Sequence, residues 1–554
     1  MTDIPKTQHA VQLVGPDKLA FNDSKPVPKP GPHQLLCKVE VVGLCFSDLK
    51  LLKQFSSHVR KSEIVSGIDM KILKEIPSYV PGSAPTVPGH EVVVRIIQTG
   101  AEVEKFQAGE RYVVQADYRW LKTENSNAAF GYNFEGALQQ FVLMDERVIT
   151  SPEGESMLIP APEHLSASAI ALVEPWGCVE DAYACAERRT LKPDGQMLIV
   201  AEREIQLDVL DNLFDVYGRP AKITVVSKNS AFQRMDVPVT RAKDVITLDD
   251  AAFDDIIYFG SDALTAEKLF AKVAPHGLLN IVLCGGRFGR KVAAQVGRVH
   301  YGGIRLIGTT SSDPAESMKS IPPNGELRPG DSVNVIGAGG PMGVMHVIRN
   351  ICLGMERTSV YATDVDDHRL DALSEVAGPL AQKAGVTYKA CNVSKSTPAE
   401  RFTYIALMAP VPALVTEAVK TADDDAIINI FAGIPATVTA EIHLDRYIAD
   451  RLYFIGTSGS TIDDMKRVLA KVEAGSLDTN VSVAAVCGLE AAAEGIRAVE
   501  NRLMAGKILV YPDCPGLTLT PLEKLGERLP EVANCLKNGL WSKEAEEELL
   551  RAYA

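Results

Sequence analysis

The chain has 554 residues, enough for about three or four domains, and its 46% hydrophobic and 23% charged content supplies several globular cores. A net charge of −14, spread along the chain, argues against a phosphate-backbone binder, so no nucleic-acid partner is expected. No run approaches the ~18 apolar residues of a membrane helix, and Met1–Ala10 lacks the apolar core of a signal peptide. No membrane partner and a cytoplasmic location are therefore expected, with the ten cysteines mostly free because no CxxC pair occurs.

The first ~150 residues read as β-rich. Branched residues fill Leu35–Val42, Val92–Gln98 and Arg111–Val114, with Gly and Pro between them. Ala167–Arg188 follows with helical spacing and Ser166 as its cap. Beyond it, three stretches recur in order. LKPDGQMLIV (Leu191–Val200) resembles LRPGDSVNVI (Leu327–Ile336). LLNIVLCG (Leu278–Gly285) resembles IINIFAGI (Ile427–Ile434), and IRLIGTTSS (Ile304–Ser312) resembles LYFIGTSGS (Leu452–Ser460). The long offset, about 136 to 149 residues, suits a duplicated domain of alternating strands and helices rather than a solenoid. Met465–Gly475 reads as a helix, and the segment from Thr520 as an amphipathic helical tail in which Ser542 caps LWSKEAEEELLRAYA, with Glu544 and Glu546 in its first turns.

VNVIGAGGPMGVMHV (Val333–Val347) joins a buried strand to a helix through Gly337, Gly339, Gly340, Met342 and Gly343. Such glycines let backbone approach a pyrophosphate at a helix N-terminus. Asp364 ends the next strand, where a carboxylate binds both ribose hydroxyls and repels a 2′-phosphate; NAD is favoured over NADP, a preference that nearby Arg369 weakens. The spacing alone leaves open which glycine makes the tight turn. The first repeat has VAEREIQLDVL (Val200–Leu210) where the glycines should lie, and Ser227 in place of Asp364, so it reads as degenerate.

Cys45 in VVGLCFSDLKLL, His90 and Glu91 in PTVPGHEVVVRI, and Glu174 in ALVEPWGCV are candidate ligands of one catalytic zinc with an open position. Singly, each has an ordinary reading as a core thiol, a satisfied histidine or a surface charge; their co-occurrence with the nucleotide turn carries the case.

With GLCFSDLK, PGHE, EGALQQFV (Glu135–Val142), VEPWGCV, GAGGPMG and Asp364 in place, the chain resembles the zinc-dependent medium-chain dehydrogenases, in particular their sorbitol dehydrogenase-like branch. The resemblance covers ~8–190 and ~325–515. It implies an α/β fold: a GroES-like β-rich catalytic domain over 1–188, completed by about 475–515, and two tandem Rossmann-like doubly wound parallel sheets. These are a degenerate one over 189–325 and an NAD-binding one over 326–474, followed by a tail over 516–554. It further implies that Cys45, His90 and Glu91 bind zinc and that Glu174 is a direct or water-mediated ligand. Ser47 would relay the substrate proton, and Asp48 would support the site. A homo-oligomer, dimer or tetramer, is implied as well. No cysteine lies between Cys45 and Cys178, so a second, structural zinc is not expected. His58, Arg60 and Lys61 form a basic loop that suits either solvent or a phosphorylated sugar.

The expected activity is hydride transfer between a nicotinamide cofactor and a secondary alcohol or ketone of a polyol, sugar or sugar phosphate. A redox-neutral lyase or epimerase with tightly held NAD and a non-enzymatic assembly protein are the alternatives.

Overall fold

The computed structural model describes residues 4–228, 232, 235 and 237–553. The chain divides into two units, Met1–Glu180 with Ser460–Ala554, and Asp181–Gly459.

The first unit is built on an eight-stranded sheet. Its central strand, Gln34–Gly43, pairs antiparallel with Glu91–Thr99, from Leu35 opposite Thr99 to Gly43 opposite Glu91. On its other side it meets Lys507–Tyr511, with Gly43 opposite Leu509. Arg111–Val114 extends the sheet beyond Glu91–Thr99. Valines and leucines on these strands are fully buried, which fixes the register, since a one-residue slip would reverse their faces. The three strands expected from sequence are present, the first two longer by one residue at each end and the third with the same bounds. Their register places Gly43, Glu91 and Lys507 at one end of the sheet, and the chemistry collects there.

The helix expected over Ala167–Arg188 is two helices, Ala167–Ala171 and Val173–Ala184. Pro175 has no N–H to give to the carbonyl of Ala171, so one continuous ladder cannot form across the junction. The second helix stops at Ala184 because the backbone N–H of Glu187 goes to Pro323 O at 2.9 Å. Ser166 does cap the first, accepting from Ala169 N at 3.2 Å. Ser542 caps the tail helix Lys543–Ala552 through Ala545 N at 3.1 Å. Buried Glu546 accepts from Ala167 N (2.6 Å) and Ser168 N (2.8 Å), so the tail closes the N-terminus of another helix.

The second unit contains two six-stranded sheets, both wholly parallel. The first runs Val239–Arg241, Lys222–Val226, Gln196–Ala201, Phe253–Phe259, Val273–Val282, Arg305–Thr309. The second runs Thr387–Asn392, Ser359–Asp364, Ser332–Ile336, Phe402–Leu407, Ala422–Ile430, Tyr453–Ile455. Each has chain order 3-2-1-4-5-6, the doubly wound arrangement whose ligands bind at the carboxyl ends of the strands where the order reverses. The three recurring sequence stretches supply the first, fifth and sixth strand of each sheet. Among the described residues, no helix is long and apolar enough to cross a membrane.

Candidate metal centre and nucleotide turn

In the first unit, Gln34–Gly43 delivers Cys45 two residues past its end, where it caps the helix Phe46–Gln54. Glu91–Thr99 delivers Glu91 as its first residue and His90 just before it. One ligand atom from each of Cys45, His90 and Glu91 lies within 4.8 Å of the others. Gly43 allows this approach, since a Cβ there would stand 2.4 Å from Glu91 Oε2.

Asp48 ties the group together. Its Oδ2 accepts from Cys45 N at 2.9 Å and its Oδ1 from Gly89 N at 3.2 Å, and Oδ1 also lies 3.3 Å from His90 Nδ1. Burial works against a charge on His90, and the Asp48 carboxylate outweighs it, holding the imidazole well above its usual range. The ring's other nitrogen, Nε2, faces Ser47 Oγ at 3.1 Å. Glu91 is fully buried. Its Oε1 accepts from Lys507 Nζ, while its Oε2 has no hydrogen-bond partner. A thiol, an imidazole and a buried carboxylate with a spare oxygen form a donor set suited to zinc.

Glu174, on the helix Val173–Ala184, is not one of the three converging ligands. Burial pushes its carboxyl up to about 7; the charge of His90 opposes the rise and that of Glu91 adds to it. In the basic loop, Arg60 pairs with Asp117 at 3.0 Å and Lys61 is buried with its ammonium on Val80 O and Ala84 O. His58 is pushed down to about 4 by burial and by the charges of Arg60 and Lys50.

In the second unit, the strand Ser332–Ile336 enters the glycine turn and the helix Pro341–Cys352 leaves it. Gly337, at φ +84°, makes the tight turn, and its N–H goes to Thr363 O at 2.8 Å. Gly343 serves helix packing, because a Cβ there would stand 2.3 Å from Gly337 O. Gly340 caps the helix, with its N–H on Gly337 O at 3.4 Å, and a Cβ there would make only an ordinary contact, 3.8 Å from the same oxygen. Met342 is half-buried in the first helical turn. Asp364 ends its strand beside the turn, where its Oδ2 accepts from Gly339 N at 2.8 Å. The side chain of Arg369 lies across Gly339, with Nε 3.7 Å from Asp366.

Residues 31–153 match the alcohol dehydrogenase GroES-like domain. That segment, which carries Cys45, His90 and Glu91, is similar to the GroES-like domain of alcohol dehydrogenases. Similar proteins include the L-sorbose 1-phosphate reductase of Klebsiella pneumoniae, 27% identical over 233 residues, which are 40% of this chain and 56% of that protein. The mannitol-1-phosphate 5-dehydrogenase of Aliivibrio fischeri is 25% identical over 253 residues, 41% of this chain and 58% of that one. The chain thus spans a little over half the length of the curated relatives it matches. The crystal structure of 2R,3R-butanediol dehydrogenase from Bacillus subtilis shares the fold at 15% identity, with a TM-score of 0.52 over 91% of this chain and 100% of that one.

Two residues of the site are not marked by any motif in the sequence. Lys507 opens an otherwise apolar strand, KILVY, and that lone charge was its only signal. Burial opposes its charge, and Glu91 outweighs burial and keeps the ammonium protonated. Tyr132 is buried with its ring 5.9 Å from that of His90; nothing in its local sequence marks it. The glycine turn of the second sheet has no counterpart in the first. There Glu202 follows the strand Gln196–Ala201, and its carboxylate takes the hydroxyl of Tyr258 and the N–H of Ser261, the latter at 3.1 Å. A carboxylate thus fills space beside the end of this strand, which disfavours a dinucleotide phosphate on charge.

Proposed function

We propose that the protein is a zinc-dependent oxidoreductase that moves hydride between a nicotinamide dinucleotide and a secondary alcohol or ketone of a polyol, sugar or sugar phosphate. One observation carries this reading: Cys45, His90 and Glu91 converge while a buried oxygen of Glu91 lacks a partner. The names of the relatives, a sugar-phosphate reductase and a polyol-phosphate dehydrogenase, support the substrate class.

Bound by Cys45, His90 and Glu91, zinc would supply Lewis acidity toward an alcohol or carbonyl oxygen. The residues around it do the rest. Asp48 keeps a proton on His90 Nδ1 and so directs the Nε2 lone pair toward the ligand position. Lys507 occupies one oxygen of Glu91 and leaves the other for coordination. Ser47 Oγ would accept a hydrogen bond from the substrate hydroxyl and relay its proton, giving its own hydrogen outward toward solvent as it takes that of the substrate, with the relay reversed in ketone reduction. Glu174 is an adjustable ligand or water holder beside these three. In the second unit, Gly337, Gly339, Gly340, Met342 and Gly343 shape the pyrophosphate turn, and Asp364 receives the ribose hydroxyls, which favours NAD. We assign 189–325 and 326–474 as the two sheet domains, with 1–188 and about 475–515 as the catalytic domain.

A panel of polyols, sugars and their phosphates, each with NAD and NADP, tests the reading by following NADH absorbance and product together. The expected result is NAD reduction by at least one polyol or polyol phosphate that Cys45→Ala and His90→Ala abolish, with NADH binding retained. Turnover without net NADH formation would instead indicate redox-neutral chemistry.

A further inference from the structure

The two sheets of the second unit meet as the halves of a two-fold dimer meet. Val292–Ala294 pairs antiparallel with Ala440–Ile442, with Ala293 opposite Glu441 at the centre. Each of these short strands lies between the fifth and sixth strands of its own sheet. The helix Gly297–Tyr301 of the first sheet packs on Tyr453–Ile455 of the second, and the helix Leu444–Ala449 of the second packs on Arg305–Thr309 of the first. Such reciprocity defines an isologous interface. One hydrophobic core runs through both halves.

The contacts beyond that core are not symmetric. Asp445 of the second half accepts from Phe288 N (2.8 Å) and Gly289 N (2.9 Å) of the first. From the first half, His300 donates through Nδ1 to Ile430 O at 3.2 Å, and the Tyr301 hydroxyl lies 2.7 Å from where a Cβ on Gly433 would stand. Residues 431–435 leave the carboxyl end of the strand Ala422–Ile430, the edge at which a doubly wound sheet holds its ligand. Phe431 of this loop stacks edge-on against His346 with ring centres 4.6 Å apart, and His346 belongs to the helix that leaves the glycine turn. His300 approaches the same phenyl ring from the other half at 6.3 Å. Tyr301 remains 47% exposed at this edge, although its own sheet has no glycine turn.

We propose that the first sheet acts as a built-in second subunit for the second sheet, and that Tyr301 is a positioning residue for the dinucleotide. It holds the 431–435 loop against the glycine-turn helix, so the half without a nucleotide turn serves the half that has one. The inference rests on the dinucleotide reading above. It explains why a chain keeps a whole sheet domain whose own turn is filled by Glu202.

In the full chain, Tyr301→Ala removes the contact and Gly433→Ala crowds the Tyr301 hydroxyl out of it with a methyl 2.7 Å away, and NADH fluorescence titration reads the result. Each variant is expected to bind NADH roughly fivefold to tenfold more weakly, with the double variant little worse than either single one. The melting temperature without cofactor should stay unchanged, and the loss should appear in the KM for NAD rather than in kcat. Asp445→Asn, which loosens only the hold of the second half on Phe288 and Gly289, should leave NADH affinity as it was. Wild-type affinity in both Tyr301→Ala and Gly433→Ala would overturn the proposal alone, as would an equal loss in Asp445→Asn. A wild-type chain that binds no NADH would overturn the dinucleotide reading together with this one.

Discussion

Asp48 Oδ1 lies 3.3 Å from Nδ1 of His90, and the other oxygen of the same carboxylate holds the amide of Cys45 at 2.9 Å. A single side chain thereby orients two of the three metal donors. Asp48→Asn keeps the shape and removes the charge that fixes the imidazole. Metal affinity is expected to fall by about 10- to 100-fold, measured by chelator competition, with the fold intact.

Glu91 and Lys507 are 0% and 5% exposed and form an ion pair. Removing one partner leaves the other charge buried. In metal-free protein, Lys507→Met is expected to lower unfolding free energy by about 3–5 kcal/mol, and the double variant Glu91→Gln, Lys507→Met to recover much of that. Denaturant titration gives both values. A double variant as unstable as the single one would contradict the pairing.

His346 is buried, and Tyr183 Oη donates to its Nδ1 at 2.8 Å. Burial, with help from the charge of Arg349, pushes this imidazole from 6.5 down to about 3. The folded ring stays neutral while an unfolded one takes up a proton below 6.5. Its contribution is therefore complete above that pH and is lost as pH falls toward 3, on the order of 4 kcal/mol in all. His346→Gln, which still accepts from Tyr183, should flatten the acid limb of stability against pH between those values.

Gly343→Ala would place a methyl 2.3 Å from Gly337 O and force the glycine-turn helix off its strand. NADH binding is expected to drop at least about tenfold in a titration. Metal content should remain at the wild-type level, because the donors belong to the other unit.

Much of this was legible in the sequence where function is written in short motifs. Cys45, Ser47 and Asp48 fall within four residues, and His90 and Glu91 are adjacent, so the donor cluster is announced locally. Lys507 was not legible, since only strand pairing brings it 416 positions along the chain to Glu91. Nor did spacing reveal which glycine makes the turn; that is decided by the φ of +84° at Gly337. Glu546 stands in the first turn of its own helix, as its sequence position implies, and burial against Ala167 and Ser168 also makes it the cap of a helix nearly 380 residues away, which no local pattern shows. The parallel sheets were visible as recurring strands, but the contact of Tyr301 with the 431–435 loop depends on how those sheets pack.

The most direct test of a zinc held by Cys45, His90 and Glu91 is the rate of NAD reduction by a polyol or polyol phosphate before chelation, after chelation, and after stepwise return of zinc. The account predicts a rate that vanishes on chelation and returns linearly up to one zinc per chain. Full activity in the metal-free protein would contradict it.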